Sequence, residues 1–213
     1  MNFSAACVII IYGEVIIRGK SEYDYIKNII RRNYFMCGIV GYIGQRDCTD
    51  VLMQGLEKLE YRGYDSAGIA VFEKTGIKTV KTKGKLADMR HKLDIEGSPV
   101  GHCGIGHTRW ATHGEPSDIN SHPHTNGRVT IVHNGIIENY IELKEFLTEK
   151  GYTFTSQTDT EVVACLLDYY YSERNPLRAI TETLKELKGS YALGIIFRDF
   201  PDRVYATRKE SPL

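Results

Sequence analysis

The stretch from residue 36 to residue 44 is Met36-Cys37-Gly38-Ile39-Val40-Gly41-Tyr42-Ile43-Gly44. Its apolar residues form a short run interrupted by glycines, a pattern typical of a buried β-strand. If Met36 were removed, Cys37 would carry both a thiol and a free α-amine, whose ordinary pKa is about 8. That amine could accept the thiol proton, so a single residue would serve as nucleophile and general base. Most unpaired cysteines are instead small buried residues, and this stretch alone favours that simpler interpretation.

The composition is that of an ordinary globular protein. Of 213 residues, 42% are hydrophobic and 25% are charged, with 27 Lys+Arg against 27 Asp+Glu. A net charge of zero gives no reason to expect nucleic acid or a membrane surface as a partner. The five cysteines lack a CxxC pair or a framework spacing, which favours a reducing compartment. No apolar stretch approaches the roughly 20 residues of a membrane span, so we expect a cytoplasmic protein.

Runs of strands alternate with pairs of helices along the chain. Helices are predicted at residues 49–62, 85–93, 136–150, 158–171 and 176–188, and strands at 39–43, 69–72, 77–81, 101–107, 128–133, 190–198 and 203–207. A βαβ repeat would alternate strands and helices one for one. Two packed sheets with helices on the outside fit the pattern better, and we expect an α+β fold of that kind.

Residues 1–35 differ in character from the remainder. A strand–turn–strand is predicted around Gly13, followed by a short basic helix at residues 21–32, and no catalytic motif is present. Three origins are open: a misplaced start codon, a fusion remnant or a propeptide. The first two are favoured because Met36-Cys37 resembles a native start. We therefore expect residues 1–35 to be an N-terminal extension and residues 36–213 to form the principal domain.

Four polar features could carry chemistry. Arg109 follows a predicted strand, where its guanidinium could fork two hydrogen bonds onto a carboxylate. Trp110, the only tryptophan, could be core or could close over a ligand. Asn134-Gly135 could be a hairpin turn, or an oxyanion hole made of an amide and a backbone N–H. Asp159 could be a helix cap, the favoured interpretation, or a buried partner for a substrate ammonium.

The histidines invite a metal site. Six of them lie in one stretch that also contains Cys103: His102, His107, His113, His122, His124 and His133. No HExxH or paired CxxC/HxxxH element organises them, so no metal site is predicted. His113 and His122 are interpreted as residues that order their loops.

Five motifs then occur in a fixed order. They are CGIVG at residues 37–41, EYRGYDSAG at 60–68, GHTRWATHG at 106–114, HNG at 133–135 and TDTE at 158–161. Together they resemble the glutaminase (class II glutamine amidotransferase) domain of the glucosamine-6-phosphate synthase family, over residues 36–213. The resemblance implies a four-layer αββα sandwich of the N-terminal-nucleophile hydrolase type, which agrees with the pattern of strands and helices.

The resemblance also implies roles for single residues. Cys37 would attack the side-chain amide of glutamine through a thioester while its own α-amine relays protons, and the products would be glutamate and ammonia. Asn134 and Gly135 would stabilise the oxyanion, Arg109 would hold the α-carboxylate of glutamine, and Asp159 would hold its α-ammonium. The pocket or its lid would be lined by Trp110, Thr112 and His113. No cofactor and no metal are implied.

Partners follow from the same resemblance. The full enzyme would be a homodimer with C-terminal sugar-isomerase domains, absent from this chain, that bind fructose 6-phosphate and receive the ammonia. The domain 36–213 would stop before them and would hydrolyse glutamine only. A peptide bond on the Cys37 nitrogen removes the α-amine as a base, so we expect the chain as written to be inactive.

Two alternatives remain open from the sequence. One is the glutaminase domain of glutamine phosphoribosylpyrophosphate amidotransferase, since some members of that family carry a propeptide. The other is a non-catalytic module whose nucleophile is blocked by residues 1–35.

Overall fold

A computed structural model describes residues 7–11 (backbone only), 37–171 and 174–211. The strands in these ranges are β1 (Cys7–Ile11), β2 (Gly38–Ile43), β3 (Ser66–Glu73), β4 (Gly76–Lys83), β5 (Cys103–Arg109), β6 (His124–Asn126), β7 (Val129–Ile137), β8 (Gly189–Phe197) and β9 (Tyr205–Lys209). The helices are α1 (Cys48–Glu57), α2 (Leu86–Glu96), α3 (Tyr140–Glu149), α4 (Asp159–Tyr170) and α5 (Pro176–Glu186). The second strand and the helix predicted for the extension lie outside the described residues.

The strands form two antiparallel sheets that pack face to face. The first has the order β1-β2-β5-β3-β4 and the second the order β6-β7-β8-β9. Helices α1 and α2 cover the outer face of the first sheet, and α3, α4 and α5 cover that of the second. A third set of buried apolar side chains fills the space between the sheets. The predicted arrangement of two sheets with helices outside is therefore confirmed.

Strand β2 is buried on both of its faces. Ile39 lies between the sheets, whereas Val40 packs beneath α1, close to Gly55. A Cβ atom at Gly55 would lie 2.9 Å from the Val40 side chain, so the glycine allows α1 to approach the sheet. Burial on both sides explains why this strand is a continuous apolar run without polar alternation. None of the described helices is long and apolar enough to cross a membrane.

Two predicted helix boundaries were wrong. The helix predicted at residues 49–62 ends at Glu57, and a separate 3-10 turn, Glu60–Arg62, follows it. The helix predicted at 136–150 begins only at Tyr140. Residues 136 and 137 continue β7 instead, because β7 pairs with β8 up to the Ile137–Gly189 partners. This sheet pairing overrides the helical spacing of apolar residues that the sequence suggested.

A dense set of hydrogen bonds fixes the start of α4. The Thr158 hydroxyl caps the helix by accepting the N–H of Glu161 at 3.3 Å. The Glu161 carboxylate turns back and accepts the N–H groups of Thr155 (2.9 Å) and Ser156 (2.7 Å) and the Thr155 hydroxyl (2.8 Å). Burial disfavours the charged carboxylate, yet these hydrogen bonds hold the pKa of Glu161 below its usual value. The first residue of α4, Asp159, is thereby held in one position.

We expect Glu161→Gln to lower the free energy of unfolding by about 1–3 kcal/mol at pH 7, because one acceptor oxygen becomes an NH₂ group facing donors. Since the pKa of Glu161 is lowered on folding, its contribution is complete above pH 4.5 and is lost as pH falls through the folded-state pKa. Urea denaturation measures the change. Glu145→Gln, on the exposed face of α3, is the control and should shift stability by less than about 0.5 kcal/mol. Equal stabilities of the two variants would contradict this account of the α4 start.

Candidate active site

One cavity of about 320 Å³ contains every site residue predicted from the sequence. Its walls come from the start of β2, the loop after β5, the end of β7 and the first turn of α4. The eight predicted residues on these walls are Cys37, Arg109, Trp110, Thr112, His113, Asn134, Gly135 and Asp159. The fold therefore brings together positions that are up to 122 residues apart in sequence, taken from Cys37 to Asp159 (159 − 37).

Cys37 lies immediately before β2 at the floor of this cavity. Its sulfur accepts the Trp110 N–H at 3.1 Å, and its carbonyl oxygen accepts Nδ2 of Asn134 at 3.0 Å. Burial raises the pKa of the Cys37 thiol, although the Trp110 N–H and the charge of Arg109 act in the opposite direction. A thiol with a raised pKa is mostly protonated at neutral pH, so it requires a base before it can attack.

Arg109 ends β5 with its guanidinium buried in the cavity wall. Its Nη2 donates to the carbonyl oxygens of His113 and Gly114, the latter at 3.0 Å. Its Nη1 lies 3.8 Å from the Asp65 carboxylate and has no hydrogen-bond partner within the described part of the chain. An unsatisfied buried donor of this kind is costly, so a ligand with an acceptor oxygen at Nη1 would bind favourably.

Asp65 belongs to this site although sequence reasoning gave it no role. Its backbone N–H donates to the carbonyl of Arg109 at 2.8 Å, and its Oδ2 accepts the Ala111 N–H at 2.5 Å. Its Oδ1 accepts the Ser66 hydroxyl at 2.9 Å. Asp65 thus holds the chain on both sides of Trp110. The sequence showed only that a carboxylate lies in the turn-rich stretch 60–68. The hydrogen bond from Ala111 to Asp65 joins residues 46 positions apart and depends on the pairing of β3 with β5.

Three further predicted residues form the outer part of the cavity. The Trp110 side chain is 45% exposed and lies over Gly63, where an added Cβ atom would be 3.3 Å from the indole ring. Thr112 is exposed, and the His113 ring packs edge-on against Tyr140 with 5.1 Å between ring centroids. A partly exposed indole on the cavity wall can exclude water when a ligand is bound.

Asn134 and Gly135 lie inside β7, so the hairpin-turn interpretation was wrong. They pair with Ala192 and Tyr191 of β8. Gly135 has φ of +118°, and a Cβ atom there would come within 2.1 Å of the Ser190 carbonyl oxygen. Only glycine fits this position, for both its backbone angle and its space. The Asn134 amide points toward Cys37, as its contact with the Cys37 carbonyl requires.

Asp159 is buried as the first residue of α4, and it is not the helix cap. Thr158 takes that position, so the favoured capping interpretation was wrong. The Asp159 Oδ2 atom accepts the Ile137 N–H at 2.9 Å, and Oδ1 lies 3.8 Å from Nδ1 of His133. The carboxylate lies on the wall of the cavity and accepts a backbone hydrogen bond there.

Four of the six clustered histidines form a buried group at the cavity, which His122 and His133 line directly: His107, His122, His124 and His133. The rings of His107 and His122 are 4.3 Å apart at their centroids, and those of His122 and His124 are 5.1 Å apart. Burial lowers the pKa of all four, that of His107 to about 3. Within the described ranges, no three His, Cys, Asp or Glu side chains are arranged to hold a metal ion.

Residues 107–211 match the family described as glutamine amidotransferase domain. The chain carries a glutamine amidotransferase domain. Curated relatives named glutamine–fructose-6-phosphate aminotransferase [isomerizing] are 57% identical in Clostridium tetani and 59% identical in Clostridium perfringens, each over 180 residues. These matches cover 84% of this chain and 29% of either relative. The glutamine amidotransferase domain described here thus spans less than a third of the length of those proteins.

Solved structures agree with the fold of this glutamine amidotransferase domain. The glutamine phosphoribosylpyrophosphate amidotransferase from B. subtilis superposes with a TM-score of 0.64 at 27% identity, covering 76% of this chain and 35% of that one. A structure described as the allosteric regulatory enzyme of purine biosynthesis gives 0.65 at 28% identity with the same coverage. The fold is therefore that of the N-terminal-nucleophile hydrolase amidotransferases, as the sequence predicted.

We expect stability to fall below pH 6.5 because the four buried histidines stay neutral in the folded state. Their pKa values are lowered on folding, so the unfolded chain binds more protons, and stability is complete above pH 6.5 and is lost as pH falls. Each such histidine lowers the free energy of unfolding by about 1.4 kcal/mol for every pH unit below its ordinary pKa.

Urea denaturation at pH 7.5 and pH 5.5 measures this loss. His124→Gln should reduce the pH dependence by about one histidine, whereas His91→Gln, at an exposed position on α2, should leave it unchanged. The same unfolding free energy at both pH values would show that these rings are protonated in the folded protein.

Proposed function

We propose that this domain hydrolyses L-glutamine to glutamate and ammonia through a thioester on Cys37. The observation that carries the proposal is the convergence of a thiol, a buried guanidinium and a buried carboxylate on one cavity. Glutamine carries an α-carboxylate and an α-ammonium at one end and an amide at the other. A cation, an anion and a nucleophile on the same walls complement those three groups.

The charged residues would hold the amino-acid end of the substrate. Arg109 has an unpartnered Nη1 that can donate to the α-carboxylate, and Asp159 can accept from the α-ammonium. Both side chains are buried, so pairing with the substrate relieves a desolvation cost that already exists in the free domain. Trp110, Thr112 and His113 would enclose the ligand from the open side.

The amide end would meet the nucleophile. The Cys37 sulfur bonds to the amide carbon of glutamine, and the amide oxygen becomes an oxyanion near Asn134 and the Gly135 N–H. One Nδ2 proton of Asn134 serves the Cys37 carbonyl, which leaves the other for the oxyanion. The α-amine of Cys37 takes the thiol proton and gives it to the leaving nitrogen, so ammonia departs and a thioester remains. Water then adds to the thioester and releases glutamate.

This chemistry requires a free amine on Cys37. The pKa of its thiol is raised by burial, so an unassisted thiolate would be scarce at neutral pH. We therefore infer that residues 36–213 constitute the glutaminase domain, that residues 1–35 are an N-terminal extension, and that activity requires Cys37 as the first residue of the chain.

For the whole protein we propose the reaction named by its relatives. The domain would supply ammonia for converting fructose 6-phosphate and glutamine to glucosamine 6-phosphate and glutamate, with sugar-isomerase domains in the remaining length and a homodimeric assembly. Identity of 57% and 59% to that enzyme, against 27% to the phosphoribosylpyrophosphate amidotransferase, supports this choice. Cys37, Cys48, Cys103 and Cys165 are free thiols, which supports a cytoplasmic location.

The first test compares the full chain with a form that starts at Cys37. We expect ammonia release from the Cys37-first form and at least a ~100-fold lower rate from the extended chain, because the general base is then an amide. Cys37→Ser should be inactive in either form while its circular dichroism is unchanged. Intact mass must verify each N-terminus.

Two outcomes of that comparison would count against the proposal. Equal rates with the extension intact would rule out the free-amine mechanism. Absence of turnover in the Cys37-first form would rule out the glutaminase function and favour a non-catalytic module.

Arg109→Lys tests the carboxylate clamp. Lysine keeps the charge but loses the forked donors, so we expect the KM for glutamine to rise about 10–100-fold with a smaller change in kcat. Arg90→Lys, on exposed α2 where Arg90 pairs with Glu57, is the control and should leave both constants unchanged. A normal KM with a reduced kcat for Arg109→Lys would assign Arg109 to the chemical step instead.

A further inference from the structure

We propose that His107 is a positioning residue that orients the Asn134 side-chain amide for oxyanion stabilisation. The proposal rests on the proposed glutaminase function, and it extends that function to a residue that does not line the cavity. His107 lies on β5 of the first sheet and Asn134 on β7 of the second. Their hydrogen bond therefore joins the first sheet, in which β2 directly follows Cys37, to the strand that carries the candidate oxyanion hole.

Hydrogen bonding determines which way the Asn134 amide points. One end of the amide lies 3.0 Å from the Cys37 carbonyl oxygen, and the other lies 2.9 Å from Nε2 of His107. A carbonyl oxygen can only accept, so the end that faces Cys37 must be the NH₂ group. The amide oxygen then faces His107, and Nε2 of His107 must carry a proton to donate to it.

The surroundings of His107 fit a single proton on Nε2. The side chain is completely buried, and burial lowers the pKa to about 3, so the ring is neutral and carries one N–H. The Nδ1 atom makes no hydrogen bond of good geometry within the described residues, although the His133 backbone lies close enough to the ring to favour its protonation. A second, longer contact of 3.4 Å joins Nε2 to Nδ1 of His122, which can share the same proton as an acceptor.

This arrangement disfavours the reversed amide. A 180° flip of Asn134 would place its oxygen against the Cys37 carbonyl and its NH₂ against the His107 N–H, so acceptors would face acceptors and donors would face donors. The flipped amide would also direct an oxygen at the developing oxyanion. His107 thus raises the population of the one amide orientation that can stabilise the transition state, without contacting the substrate.

The kinetic test replaces His107 in two ways. His107→Phe keeps a planar ring without a donor, and we expect kcat to fall about 10–100-fold with KM within about 3-fold, since removing an oxyanion donor outright costs up to about 10³-fold. His107→Gln returns an N–H near the Nε2 position and should recover most of the lost kcat. His91→Gln, at an exposed position on α2, should stay within about 3-fold of the parent. An unchanged kcat in His107→Phe, or no recovery in His107→Gln, would overturn the proposal.

A second readout on the unaltered full chain does not depend on activity. Nitrogen-15 NMR of labelled histidine should show His107 neutral with its proton on Nε2 at pH 7, and a coupling across the hydrogen bond to Asn134. A proton on Nδ1 would overturn the positioning role even if His107 variants lose activity. If the parent form proves inactive, the glutaminase proposal fails, while the NMR result still decides whether His107 orients the amide.

Discussion

Burial of β2 on both faces is the constraint on which the rest of the site depends. Ile39 must face the second sheet and Val40 must face α1, so a slip by one residue would exchange the two faces and mismatch the packing on both. The pairing of Gly38 with Thr108 then places Cys37 beside the end of β5. The Trp110 N–H, two residues beyond Thr108, then lies 3.1 Å from the sulfur.

The buried side chains around the thiol are of two kinds, charged and neutral. Arg109 is buried with its Nη1 donor unused and Asp159 is buried on the same cavity wall, whereas the four clustered histidines have lowered pKa values and fill space without adding charge. A neutral histidine group beside the guanidinium avoids repulsion that protonated rings would introduce. The wall thus presents the buried cation Arg109 and the buried anion Asp159 to the cavity.

Hydrogen bonds between distant segments complete the site. Asp65 holds the chain on either side of Trp110, and Asn134 joins Cys37 to β7 across 97 residues of sequence. The start of α4 is held in turn by Thr158 and Glu161, so Asp159 has little freedom. Asp65 and Glu161, which do not line the cavity, thus support residues that do.

The sequence by itself determined the layers, the candidate residues and the family, because apolar periodicity and five ordered motifs are local properties of the chain. Only the tertiary structure decided that Asn134-Gly135 belongs to a strand, since pairing with β8 outweighs the turn preference of that dipeptide. Only the tertiary structure assigned parts to Asp65 and His107, whose partners lie 46 and 27 residues away. Contacts between residues so far apart in sequence depend on the register and stacking of the two sheets. The local sequence does not specify either of these.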